Sequence, residues 1–242
     1  MKRLTLLVLL LLCSLPSFGA WAFVQSKEAN STGGTTQAVT FTSTPTVGNI
    51  IIVGLETPNA AYGASYIADN QGNAYGVVGW IPQNGAVGAY LYCGIAGTSS
   101  GTFTITATLT SSGDATIFAR EYSGGSCNID QSARGTGSTS PYACGSITTL
   151  NANDLLVTFI NTNNGGTNTY TVPTGYSNLD SQTSGAHQSG AIADKIVSAT
   201  GTFAPTWTDS ATGSIGNCVN VALKEASAGG GSTVTGSFVV AN

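Results

Sequence analysis

Gly101-Thr102-Phe103-Thr104-Ile105-Thr106-Ala107-Thr108-Leu109 alternates threonine with apolar residues almost without a break. A period of two turns successive side chains to opposite faces, so the stretch reads as a strand with one wet and one dry side. Thr116-Ile117-Phe118-Ala119-Arg120-Glu121 follows beyond Gly113 and reads as its hairpin partner. Further along the chain Gly201-Thr202-Phe203 opens a similar run that keeps Thr206 and Thr208 and ends at Gly213. Val219-Asn220-Val221-Ala222-Leu223-Lys224-Glu225 stands as the partner of this second run.

The repetition reaches other segments. Asn153-Asp154-Leu155-Leu156-Val157 lies 104 residues beyond Asn49-Ile50-Ile51-Ile52-Val53. The same offset sets Ile117, Ala119, Arg120 and Glu121 against Val221, Leu223, Lys224 and Glu225. Trp207 stands where the first copy has Ala107, and Pro205 where it has Ile105. Proline cannot donate to a ladder, which predicts an edge or bulged strand there.

No amphipathic helix is legible. Short apolar or alternating runs at Phe23–Glu28, Gln37–Phe41, Asn49–Leu55, Ser65–Ala68, Tyr75–Trp80 and Val87–Cys93 are separated by Gly-, Asn- and Pro-rich turns. Tyr75–Trp80 reads as the return strand of a hairpin with Ser65–Ala68, and Asp130–Ala143 as a polar surface excursion. The fold expected is all-β, a double-sheet jelly-roll-like sandwich built from two similar halves, about 23–122 and 123–226. Two tandem immunoglobulin-sized domains fit less well. The joint Ser123-Gly124-Gly125 is short, and neither half has the Cys…Trp…Cys spacing of that family.

Lys2 and Arg3, the apolar run Leu6–Leu12 and Ala20-Trp21-Ala22 form the series of a secretory signal peptide, expected to span 1–22. The apolar run falls far short of the ~20 residues that a membrane span needs. At the other end, 227–242 reads as a flexible Gly/Ser-rich tail, with Ala228-Gly229-Gly230-Gly231-Ser232 as a spacer before Phe238-Val239-Val240. Without the leader the chain keeps five basic residues against eleven acids. So thin a basic complement disfavours nucleic acid, whose phosphates need a Lys/Arg field. Four cysteines also remain, an even number in an exported chain and hence a disulfide framework. Cys127 with Cys144 closes one Gly/Ser-rich loop, leaving Cys93 with Cys218.

Few residues suggest chemistry. His187 is the only histidine, and no G-x-S-x-G elbow accompanies it. Glu56 and Glu121 are the natural candidates for the paired carboxylates of a glycosidase. The second reading of Glu121 is an ion-pairing strand terminus recurring as Glu225. Asp69-Asn70-Gln71-Gly72-Asn73 offers oxygens on a tight turn, with Asp69 and Asn73 as candidate Ca2+ ligands, yet an Asx-type turn accounts for the same residues. Tyr90, Tyr92, Trp80 and Trp207 are candidate sugar-stacking aromatics, although strand aromatics mostly serve cores and cross-strand pairs.

Asp69-Asn70-Gln71-Gly72-Asn73-Ala74-Tyr75, Arg120-Glu121-Tyr122-Ser123-Gly124 and Val221-Ala222-Leu223-Lys224 resemble an uncharacterised module of secreted bacterial proteins, covering about Phe23 to Glu225. The module is similar to lectin-like jelly rolls in architecture. The resemblance implies the fold and an extracellular or cell-surface location, and brings no catalytic residues with it. The expectation is a secreted module that binds a polysaccharide or another cell-surface component. A structural or adhesive surface protein and a carbohydrate-active enzyme are the alternatives.

Overall fold

The computed structural model describes residues 20–57, 64–81, 87–98, 100–164, 168–184, 188–211 and 213–226. The leader up to residue 19, His187 and the tail from 227 lie outside the described residues. The first half carries β1 (Ala22–Ser31), β2 (Thr36–Thr40), β3 (Ile50–Thr57), β4 (Ala64–Asp69), β5 (Tyr75–Ile81), β6 (Gly88–Ile95), β7 (Thr104–Leu109) and β8 (Ala115–Ser123). The second carries β9 (Gly125–Gly137), β10 (Tyr142–Ala143), β11 (Ile147–Thr148), β12 (Leu155–Thr162), β13 (Tyr170–Thr171), β14 (Ser177–Ser184), β15 (Gln188–Ile196), β16 (Thr202–Phe203), β17 (Thr206–Asp209) and β18 (Gly216–Glu225).

Sheet order shows the duplication directly. In the first half a five-stranded sheet runs β1-β8-β3-β6-β5 and a three-stranded sheet β2-β7-β4. In the second, β9-β18-β12-β15-β14 and β10-β17-β13 follow the same plan, with β11 and β16 as an added pair. Each half thus has a jelly-roll-like order of its own. The five-stranded sheets face each other, and each is covered on its outer side by its own smaller sheet.

Burial explains the layers. Ile50, Ile51, Ile52 and Val53 on β3 are all fully buried, because both faces of this central strand are covered. Ile50 and Ile52 enter the shared core with Phe118, Val157, Phe159, Ile192, Val219 and Val221. Phe118 and Phe159 meet edge-to-face across it at 5.7 Å. Ile51 and Val53 point the other way, toward Val39, Phe103 and Ile105 of the first outer layer. Trp207, Tyr142 and Tyr170 fill the corresponding outer core of the second half. Burying each such aliphatic side chain contributes about 1.5–3 kcal/mol.

Several expectations need correction. The threonine-rich run and its follower do not form a hairpin: β7 pairs with β2 and β4, while β8 pairs with β1 and β3. Both strands carry an apolar face, so they meet across a core rather than through a ladder. For the same reason β4 and β5 belong to different sheets. Asp130–Ala143 is no excursion, since most of it lies in the thirteen-residue strand β9, which edges the second large sheet. Pro205 marks a break between β16 and β17, and β17 sits between β10 and β13 rather than at an edge.

Registers of the two copies also differ from the sequence alignment. Ile50 pairs with Tyr122 and Ile95, and Leu155 with Leu223 and Ile196. Ile50 therefore corresponds to Leu155, Tyr122 to Leu223, and Ile95 to Ile196. Matching Ile50 with Asp154 would turn every side chain of the strand to the wrong face. On the true register Glu121 corresponds to Ala222 and not to Glu225.

The disulfides are Cys93–Cys127 and Cys144–Cys218, with Cα separations of 5.6 Å and 5.1 Å. Cys127 with Cys144 is excluded by the extended course of β9. The chain folds back only after Gly137, bringing Ala143 and Cys144 against Gly135. The eight residues from Cys127 to Gly135 span roughly 26 Å, far beyond disulfide reach. Cys93 and Cys127 both line the shared core and tie the halves together, whereas Cys144–Cys218 fastens the outer layer of the second half to β18.

Candidate functional site

The expected carboxylate pair is not assembled. Glu56 lies opposite Thr116 in the β3–β8 ladder, and Glu121 lies opposite Ile51. Five residues of strand separate the two positions, about 17 Å, and they point to opposite faces. Glu121 accepts hydrogen bonds from Gln25 Nε2 (2.6 Å), Thr46 N (2.9 Å) and Asn49 Nδ2 (2.5 Å), which fixes the turn before β3. Glu56 is fully buried in the shared layer, and neither carboxyl oxygen has a hydrogen-bond partner. Burial pushes it well above the usual carboxylate range. Room for the side chain comes from Gly190, where a Cβ would fall 1.4 Å from Glu56 Oε1. Glu56 is enclosed between the halves, where burial favours its neutral form.

A second carboxyl pair, absent from the sequence reading, joins Asp130 on β9 to Asp154 just before β12. Asp130 accepts from Leu150 N (2.6 Å) and Asn151 Nδ2 (2.6 Å), and Lys224 Nζ stands 3.9 Å away. These donors hold Asp130 below its ordinary value despite the burial that opposes them. Asp154 is pushed up to about 7, first by burial and then by Asp130, so it is the member of the pair that takes up a proton more readily.

At the Asp69 turn the carboxylate is already engaged. Oδ1 accepts from Gln71 N (2.9 Å) and Asn73 N (3.1 Å), and Oδ2 from Asn73 Nδ2 (2.9 Å) and Tyr75 Oη (2.7 Å). Asn73 Oδ1 accepts from Gly97 N (2.9 Å). The Gln71 contact is the Asx-type turn that the residues suggest, and the Asn73 and Tyr75 contacts add to it. Among the described residues no three His, Cys, Asp or Glu side chains gather in a metal-holding group.

The four sequence-chosen aromatics are dispersed. Trp80 is 41 % exposed, lies opposite Tyr90 in the β5–β6 ladder and carries the Arg134 guanidinium 5.7 Å from its ring. Tyr90 is half-buried beside it, and Tyr92 is buried in the first outer core. Trp207 belongs to the outer core of the other half, where Nε1 donates to Thr158 Oγ1 at 3.0 Å. Only Trp80 and Tyr90 come together.

The most distinctive surface feature appears when the halves are superposed by register. In the first half Tyr75 lies opposite Gly94, so close that a Cβ at Gly94 would be 2.7 Å from the ring. The hydroxyl of Tyr75 is bonded to Asp69, and nearby Phe103 is buried and stacked on Phe41 at 5.9 Å. This place is closed. In the second half Ser177 pairs with Asp194, which puts Tyr176 beside Lys195, where the first copy has Tyr75 and Gly94. The Tyr176 hydroxyl is buried with no hydrogen-bond partner, and burial pushes its acidity down. The strand equivalent to β7 breaks at Ala204-Pro205, and Phe203 is only partly buried.

The result is a groove of about 290 Å³, lined by Tyr176, Lys195, Phe203, Pro205 and threonines 174, 202 and 206. Lys195 Nζ lies 5.2 Å from the Phe203 ring and 6.0 Å from that of Tyr176. Sequence reading missed Tyr176, Phe203 and Lys195 because the correspondence with Tyr75 and Gly94 emerges only on the ladder register. Pro205 was the one visible signal. Comparison with family models, with curated proteins and with solved structures gives no match.

Proposed function

We propose that the protein is an exported, extracellular binding module that takes a glycan in the groove at Tyr176, Lys195 and Phe203. The observation that carries this reading is the difference between the two copies. A duplicated fold closes the place once, with Tyr75, Gly94 and Asp69, and leaves it open the second time, where the partly exposed Phe203 ring stands beside Lys195 over a buried Tyr176 hydroxyl that no protein group bonds. Departures from an otherwise consistent pattern concentrate where function is carried. Aromatic faces suit the apolar faces of pyranose rings, and the surrounding threonine hydroxyls suit their edges. An extracellular setting agrees with two disulfides and with the absence, among the described residues, of any helix long and apolar enough to cross a membrane.

The test is retention of the full chain on a panel of immobilised neutral and acidic polysaccharides, compared with Phe203→Ala. Retention on at least one polymer, lost in Phe203→Ala with the thermal midpoint kept, supports the reading. Equal retention of both proteins, or retention on none, overturns it.

A further inference from the structure

The groove contains a full positive charge in a chain that is otherwise poor in cations. Lys195 makes no ion pair among the described residues, whereas Arg120 and Lys224 each face a carboxylate. Its ammonium is held above the rings of Phe203 and Tyr176. Those rings attract it only weakly in comparison with a carboxylate at hydrogen-bond distance. The first copy has Gly94 at this position, so the charge belongs to the open groove alone. From this geometry we infer that the groove selects acidic sugars, the carboxylate of a uronate-type ring pairing with Lys195 Nζ while the ring lies against Phe203.

This inference rests on the glycan-binding reading and adds the chemical class of the ligand. The chain as a whole carries a formal charge of −4. Long-range electrostatics therefore repel a polyanion, and binding to one requires a local contact rather than general attraction. The groove volume of about 290 Å³ limits the occupant to a short segment of chain, not a folded partner.

The experiment measures binding of the full chain to polygalacturonate, alginate and hyaluronan, to methyl-esterified polygalacturonate and to neutral polysaccharides. Lys195→Gln, Lys195→Arg and Lys27→Gln accompany the unsubstituted protein, Lys27 being an exposed cation on β1 that does not line the groove. The expected result is binding to at least one acidic polymer, abolished by esterification where esterification is tested. Lys195→Gln should weaken it about tenfold or more, the size of one charge-assisted hydrogen bond. Lys195→Arg should retain part of it, and Lys27→Gln should match the unsubstituted protein. Binding to neutral polymers with no preference for acidic ones, or equal loss in Lys27→Gln, overturns the acidic-sugar inference and leaves glycan binding standing. Binding to no polymer at all overturns both.

Discussion

Arg120 of the first half reaches Asp194 of the second across the shared core, Nη1 to Oδ1 at 3.2 Å, with both side chains buried. The same guanidinium pairs with Asp180 at 2.5 Å and donates to the carbonyls of Ile192 (3.0 Å) and Asn178. Asn178 Nδ2 completes the shell of Asp194 at 3.1 Å. Burial raises the Asp194 pKa, and the Arg120 charge and the Asn178 amide oppose that rise. Arg120→Met removes the cation and leaves a buried carboxylate unpaired. Loss of about 3–5 kcal/mol in urea unfolding is expected. Adding Asp194→Asn should recover part of it. A single variant as stable as the parent protein would show that the cluster does not hold the halves together.

The disulfides give a second test of how the halves are joined. Peptide mapping without reduction should recover Cys93 linked to Cys127 and Cys144 linked to Cys218. Replacing Cys93 and Cys127 together by Ala should cost about 2–5 kcal/mol. Because that link joins the two units, the cost should appear as weaker coupling between them, seen as a broader or split thermal transition. A recovered Cys127–Cys144 peptide contradicts the placement of β9.

Strand content, the duplication and the covered central strands were all legible, because period-two alternation and continuous apolar runs are local signals. Ile50–Val53 declares its own burial. Pairing was not legible. The run at Thr104–Leu109 has a dry face whether its neighbour sits in the same sheet or across a core, so only coordinates separate a hairpin from an arch. Register failed for a related reason. Asn49 and Asn153 look alike, since both close a turn that leads into a strand, yet aligning them shifts β3 against β12 by one residue. That single step concealed the match of Tyr75 with Tyr176 and of Gly94 with Lys195, and with it the groove. Strand aromatics such as Trp207 and Tyr92 proved to be core, which their composition alone does not reveal.

Proton binding sets the pH dependence. Asp154 has a folded pKa near 7, well above its unfolded value. The stability it contributes is fully present below the unfolded value and is lost as pH rises through the folded one, that is, from about 4 to about 7. Asp130 acts in the opposite sense, since its depressed pKa contributes stability that is lost on acidification. Asp154→Asn keeps the side chain's size and removes the titration. The difference in thermal midpoint between parent protein and variant should grow in the variant's favour between pH 4 and 7, then level off. Glu56→Gln should extend the same trend to more alkaline pH, because burial raises Glu56 as well. A difference that stays constant across this range means that the proton does not reside on Asp154.

Export processing offers a test at the N-terminus. The charged, apolar and small-residue series permits cleavage after Ala22, but Trp21 is only 4 % exposed in the shared core and meets Tyr122 edge-on at 6.2 Å. Ala22 already pairs with Ser123 at the start of β1. Removing Trp21 would empty a large volume where the two halves meet, an effect comparable to Trp→Ala in a core at about 3–5 kcal/mol. A cut upstream keeps the ring, and Ser17-Phe18-Gly19 supplies small residues at the two positions that the peptidase reads. On the proposed export the mature chain should therefore begin at Ala20, by N-terminal sequencing or intact mass. Trp21→Ala should lower its unfolding midpoint. A mature chain that starts at Phe23 and is as stable as one retaining Trp21 would mean that this indole is not part of the working core.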